Sequence, residues 1–574
     1  MCRSLSARLR GDIQSFKPIS KQYCRSMSSS PHDLHCVDMR SSQAGKDWNS
    51  SDEFFKFTRG RFLVEEAKNL KSRETKFDLN RLARVAADSV GATQCISIKK
   101  YPDGMFNKAF LMTMDNGREV VSKVPNPNAG IPHFTTASEV ATMDFVRKVL
   151  DTPAPRVYSW NSQAKSHPVG AEFIIMDKVE GVPLSQVWGN MKLPQKLQLL
   201  LAITRLQKKW VSVSFSHYGS LYYAGDVQQQ SNVSHYFKDG NTIDKSGFTV
   251  GPITARDWLD GGRSKLDIDR GPWASLTDYL RAVGTREQRA VECLKPVKQL
   301  ALFCGPKLYQ PDMGKKLTAL TSYQRIVDFL IPKDTTLISP YLWHDDLHDD
   351  NIFVDPDNPE TITGIIDWQS CHVSPLFNHN PDPAFLDWDG LEPETLDLAP
   401  RPKLSELSPA DRATALREYT VQNVFIGWRK LMQAKNPALY RAIEFRKTPA
   451  YGLIFLAHRM FEYGEAHFQS LLVDLKDTWA TLPAVTHDVQ FPFHFSEADL
   501  ERIKLESDAA VAGTDLVMEV KESLGDLWPD KGFIEHERYH DCKAALDKVK
   551  CQIIEQLAET DEEKAEFERH WPFD

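Results

Sequence analysis

The sequence predicts an α+β protein of two lobes, with a small β-rich N-terminal lobe and a large, mostly helical C-terminal lobe. Two observations lead there. Cys95–Val124 alternates in the strand manner, with Asn107–Met114 and Glu119–Val124 flanking Asp115-Asn116-Gly117, a turn sequence that tolerates the positive φ angles of a tight hairpin. Residues 193–211, 276–331 and 407–480 instead repeat apolar side chains at helical spacing, so strands come first and helices later.

The elements follow in order. Residues 1–30 carry Arg3, Arg8, Arg10, Lys17, Lys21 and Arg25 against one acid, Asp12, with Leu5, Leu9, Ile13 and Phe16 on one helical stripe. That pattern predicts a mitochondrial transit peptide. Residues 31–74 read as a linker and extension, with order beginning near Phe54. Residues 75–180 form the expected N-lobe. They open with an amphipathic helix over 77–90 and include a helix over Glu139–Val149 capped by Ser138. Residues 181–480 form the expected C-lobe, in which 215–275, rich in turn residues and aromatics, reads as an insertion. Residues 481–574 read as a helical extension. Within it 535–569 is one amphipathic helix packed over the C-lobe, with Leu546, Val549, Ile553 and Leu557 on its apolar side.

Composition narrows the function classes. A net charge of −8 argues against nucleic-acid binding, which favours a basic surface. No apolar run is long enough for a membrane span. The nine cysteines include no C-x-x-C pair, so neither a zinc ribbon nor a disulfide framework is expected.

The chemistry concentrates in residues 341–368. Asn351-Ile352-Phe353-Val354 and Ile362-Thr363-Gly364-Ile365-Ile366 are short β-prone runs joined by an emphatic turn, Asp355-Pro356-Asp357-Asn358-Pro359. A hairpin brings its outer ends together. The loop His344-Asp345-Asp346-Leu347-His348-Asp349-Asp350-Asn351 would then face Asp367. Oxygen ligands at Asn351 and Asp367 suit Mg²⁺, and a carboxylate five residues before the Asn suits a group that orients an attacking hydroxyl. His344 would support the loop. His344 and His348 also sit four apart, as zinc ligands on a helix do. Asp stands where that motif needs Glu, however, and a β-prone run begins just after.

These residues resemble the aminoglycoside phosphotransferase and choline kinase superfamily, whose pattern is H-x-D-x-x-x-x-N followed by two hydrophobic residues and Asp-Trp. The resemblance implies a bilobal protein-kinase-like fold and an ATP- and Mg-dependent phosphotransferase. Asp346 would be the catalytic aspartate, with Asn351 and Asp367 as metal ligands. Val120-Val121-Ser122-Lys123-Val124 resembles the strand whose lysine grips the α- and β-phosphates, and Glu139 the glutamate that holds it. Gly104, Asn107 and Lys108 occupy the phosphate-loop position, while Met176 and Lys178 lie in the expected hinge. One glycine in that loop departs from the G-x-G-x-x-G form, and Asp345, Asp349 and Asp350 are extra carboxylates, suited to a cationic acceptor or to solvent. Without an A-P-E-like segment after Asp367, the acceptor is expected to be a small molecule. Tyr218-Gly219-Ser220-Leu221, Gly251-Pro252 and Arg270-Gly271-Pro272-Trp273 are similar to a narrower fungal group, Altered inheritance of mitochondria protein 9. A non-catalytic nucleotide-binding scaffold is the rival reading, because a fold does not guarantee chemistry.

Overall fold

The computed structural model describes residues 47–574 apart from 228–233, 245–246, 296–300, 387, 389–391, 394 and 406. The basic segment 1–30 and residues 31–46 lie outside the described residues. No helix among the described residues is long and apolar enough to cross a membrane.

The small lobe is a five-stranded antiparallel sheet with two helices. Its strands are β2 (Cys95–Lys100), β3 (Asn107–Met114), β4 (Glu119–Pro125), β5 (Val157–Asn161) and β6 (Phe173–Asp177), in the spatial order β2-β3-β4-β6-β5. Along β3 every second residue is buried, the period of a half-buried strand. Gly117 turns the β3–β4 hairpin at φ 83°. Helix α1 (Leu79–Ser89) starts where the Asp78 side chain accepts from the Arg81 N–H, and it buries Leu79, Leu82, Ala83, Ala86 and Ala87 as one stripe.

Helix α2 (Phe134–Lys148) begins earlier than expected, and Ser138 lies buried inside it. Its start is satisfied from outside the segment. The Glu172 carboxylate accepts the His133 N–H at 2.7 Å and the Thr136 hydroxyl at 2.5 Å. Groups at a helix start have no partner inside the helix, and a cap supplied from this far along the chain is invisible to local sequence.

The large lobe is built on helices α3 (Leu193–Trp210), α4 (Leu276–Cys293), α5 (Met313–Leu330) and α6 (Pro409–Lys435) around the molecule's largest core. Between α5 and α6 run four short strands: β7 (Pro340–Trp343), β8 (Ile352–Val354), β9 (Ile362–Ile365) and β10 (His372–Pro375). β7 pairs with β10, and β8 pairs with both β9 and Val182–Pro183. The 215–275 region forms small antiparallel pairs. It is pinned beside β10 by the Gly219–Val373 bridge.

Within 31–74, expected as linker and extension with order from near Phe54, the chain is already folded at Trp48. Trp48, Phe55, Phe57, Phe62 and Leu63 are buried, and β1 (Gly60–Phe62) pairs antiparallel with β11 (Phe533–Glu535) near the C-terminus. The single helix expected over 535–569 is two, α8 (Tyr539–Leu557) and α9 (Asp561–His570), with Thr560 capping the second. Helix α8, with Trp571 and Phe573 just after α9, packs against Glu497–Leu524 (α7) and Leu63 in a satellite core.

Candidate active site

The β8–β9 hairpin performs the juxtaposition expected of it. Ile352 pairs with Ile365, and the Ile366 N–H donates to the Asn351 carbonyl at 3.0 Å. Asp367 therefore leaves the hairpin beside the Asp346–Asn351 loop. Trp343, just before the loop, and Trp368, just after Asp367, both meet Trp210 of α3 edge-on at ring distances of 5.0 and 5.9 Å. Three fully buried indoles thus clamp both segments to one helix.

His344 is a brace inside this clamp. Its Nε2 donates to the Ile366 carbonyl at 2.9 Å, its ring meets Trp368, and burial lowers its pKa, so the ring stays neutral. Among the described residues, His344 and His348 share no cluster of three metal-ligating side chains. Asp346 is half exposed, as a group that meets a substrate needs to be. The Asn351 Nδ2 donates to the Asp346 carbonyl at 3.0 Å, which fixes the amide across the loop. Asp367 adopts φ 59°, a left-handed conformation that costs a non-glycine residue roughly 1–3 kcal/mol and persists where packing enforces it.

The other half of the site comes from the small lobe. Lys123, on β4, places Nζ 2.6 Å from Glu139 Oε1 and 2.7 Å from Asp367 Oδ1, so one ammonium bridges the two lobes. Burial works against the Lys123 charge, but the carboxylates of Asp367 and Glu139 outweigh it and hold the ammonium above its usual range. Burial raises the Glu139 pKa against the pull of Lys123. For Asp367 the sign reverses: burial opposes ionisation, yet Lys123 holds the group below its ordinary value.

The remaining expected residues divide. The Gly104 N–H donates to the Asn107 carbonyl, closing the β2–β3 loop, and the Asn107 Nδ2 reaches across the lobes to Gln369 Oε1 at 2.5 Å. Lys108 is a correction. Strand alternation turns it inward, where it is 1% exposed and paired with Asp103 at 2.9 Å, so it is not placed to meet phosphate. Burial pushes its pKa down to about 8. Met176 lies within β6 and is nearly buried, and Lys178 pairs with Glu119 at 2.5 Å at the outer edge. The crossing between lobes falls just beyond them, at Gly181 (φ 95°) and the Val182–Pro183 strand.

Sequence reasoning missed several participants. Ser185 donates to Asp350 Oδ1 at 2.5 Å, and Asp345 faces His372 and His379 at 3.0 and 3.1 Å. Asp345 and Asp350 are thus partnered, contrary to the solvated reading. The register Trp343↔His372 is what brings His372 beside Asp345. Trp388 stacks on Phe425 at 5.6 Å.

A lysine–glutamate pair on a five-stranded lobe, facing an Asp-x4-Asn loop and an Asp-Trp strand end on a helical lobe, defines a kinase-like phosphotransferase architecture. Residues 97–378 match the model of the phosphotransferase enzyme family, APH. A subtelomeric hrmA-associated cluster protein of Aspergillus fumigatus is 31% identical over 54% of this chain, which spans 64% of that relative's length. Altered inheritance of mitochondria protein 9, mitochondrial, of Saccharomyces cerevisiae is 23% identical, covering 79% of this chain and 82% of the relative. Its Yarrowia lipolytica namesake is 25% identical over 79% and 80%. Among solved structures, the GDP and kanamycin complex of APH(2")-IIia is 14% identical, covering 70% of this chain and 98% of that one at TM-score 0.33. A macrolide 2'-phosphotransferase from Brachybacterium faecium is 12% identical, covering 71% and 99% at TM-score 0.28.

Proposed function

We propose that this chain transfers the γ-phosphoryl group of ATP to a hydroxyl of a small molecule. The observation that carries the reading is the Glu139–Lys123–Asp367 bridge, which unites a phosphate-gripping lysine with a cation-binding carboxylate across the lobes. Lys123 is kept charged and Glu139 fixes it against α2. Asn351 and Asp367 would hold Mg²⁺, and their donors fit: an amide oxygen oriented by Asp346 and a carboxylate, both oxygen ligands of the kind Mg²⁺ takes. That ion supplies neutralisation of phosphoryl charge. Asp346 orients the acceptor hydroxyl and takes its proton. The family match supports phosphotransfer, whereas the acceptor and the use of ATP and Mg²⁺ are this reading's own. The basic N-terminal segment and the names of the yeast relatives support a mitochondrial location.

Turnover of ATP by the purified chain tests the reading, with acceptors screened from mitochondrial extract. Asp346→Asn is expected to lower kcat roughly 10²–10⁴-fold without changing nucleotide affinity. Nucleotide binding with no turnover by the wild-type chain against any extract fraction would leave a non-catalytic scaffold.

A further inference from the structure

We propose that Asp345, His372 and His379 bind a divalent transition-metal ion of the zinc class, stapling the base of the catalytic loop to β10 and the segment after it. The three residues converge from distant sequence, and their ligand atoms all lie within 4.8 Å of one another. Asp345 Oδ2 is 3.0 Å from His372 Nδ1, and Asp345 Oδ1 is 3.1 Å from His379 Nδ1. Ligands bonded at about 2.0–2.2 Å with tetrahedral or octahedral angles lie roughly 3.0–3.5 Å apart, so these two separations fit a shared ion.

The hydrogen bonds around the cluster leave a place for a cation. His379 Nε2 lies 2.8 Å from the Tyr341 carbonyl, which only accepts, so Nε2 carries the proton. The neutral ring then aims the bare Nδ1 lone pair at the Asp345 carboxylate, two acceptors face to face. A proton or a metal ion must lie between them. A backbone carbonyl on the far nitrogen is the arrangement that orients metal-bound histidines, and stacking on Trp343 locks the ring further. His372 supplies a second, independent sign. Its Nδ1 and Asp345 Oδ2 are both buried, and among the described residues neither makes an aligned hydrogen bond.

Two imidazoles and one carboxylate suit a borderline ion such as Zn²⁺, unlike the all-oxygen pair Asn351 and Asp367. Asp345 is 32% exposed, so the cluster lies within reach of solvent. Since Asp345 adjoins Asp346, the ion acts by positioning the catalytic loop. This is a different site from the His344 and His348 pair whose spacing in sequence suits zinc.

The test is elemental analysis of the full chain, expressed with zinc and purified without a metal-chelating column. About one equivalent of transition metal per chain is expected, with metal affinity falling at least tenfold in His379→Gln and His372→Ala. A Co²⁺-loaded sample should show visible d–d bands that His372→Ala abolishes. Wild-type protein with less than about a tenth of an equivalent, and no rise in Tm on adding Zn²⁺, would overturn the proposal and assign the cluster to a proton-bridged histidinium. Because the wild-type stoichiometry is read without ATP or acceptor, it stands or falls apart from turnover, and it does not depend on the variants folding.

Discussion

Replacing Lys123 by Met removes the ammonium that bridges Glu139 and Asp367 while keeping an aliphatic stem in its place. Glu139 is 4% exposed, and its carboxylate would lose an ammonium at 2.6 Å. The group then takes up a proton instead of remaining charged in the core. For a carboxyl of ordinary pKa 4.5, staying protonated at pH 7 costs about 3.4 kcal/mol, at 1.36 kcal/mol per pH unit. Asp367, whose side chain is 39% exposed against 4% for Glu139, rehydrates more readily and carries the smaller share. The folded-state pKa of Glu139 in the variant lies above its unfolded value, so stability is intact below about pH 4.5 and is lost as pH rises. Urea denaturation against wild type should therefore show a deficit of about 3 kcal/mol at pH 7 and about 1.4 kcal/mol at pH 5.5. Adding Glu139→Gln should recover most of it, since a neutral amide has no charge to strand. An equal deficit at both pH values, or a double variant no more stable than the single one, would refute the reasoning.

Two other perturbations follow from the same geometry. A Cβ at Gly181 would sit 2.3 Å from the Val354 carbonyl oxygen at a backbone φ of +95°, so Gly181→Ala should cost roughly 1–3 kcal/mol from the torsion alone. It should also weaken nucleotide binding by shifting the lobe crossing, and an unchanged Tm and nucleotide Kd would show that the crossing does not depend on this turn. Burial depresses the pKa of His467 to about 4, and burial followed by the Arg286 charge depresses that of His458 to about 3. Both folded-state values lie below the ordinary 6.5, so the neutral rings are stabilising at higher pH. That contribution is lost as pH falls, roughly 2 kcal/mol each by pH 5. Replacing either by Gln should flatten the decline in Tm between pH 7 and 5, and a decline of undiminished slope would show that other groups cause it.

What the sequence determined by itself was whatever depends on neighbours along the chain. The Asn-Gly hairpin, the stripe of α1 and the two short strands around Asp355 are written in local steric and periodic rules. Those rules alone set the Asp346–Asn351 loop opposite Asp367. Lys123 and Glu139 were legible by resemblance, being sixteen residues apart in a recognisable order. Tertiary structure decided the rest, because burial and partner choice depend on segments that sequence spacing does not connect. It turned Lys108 inward to Asp103, moved the start of α2 onto Glu172, and folded residues 47–74 against a strand near the far end of the chain. Only the β7–β10 register brought His372 to the carboxylate of Asp345. Hydrogen bonds and charges act over a few ångströms in space, and a chain of this length can bring together residues that no local pattern links.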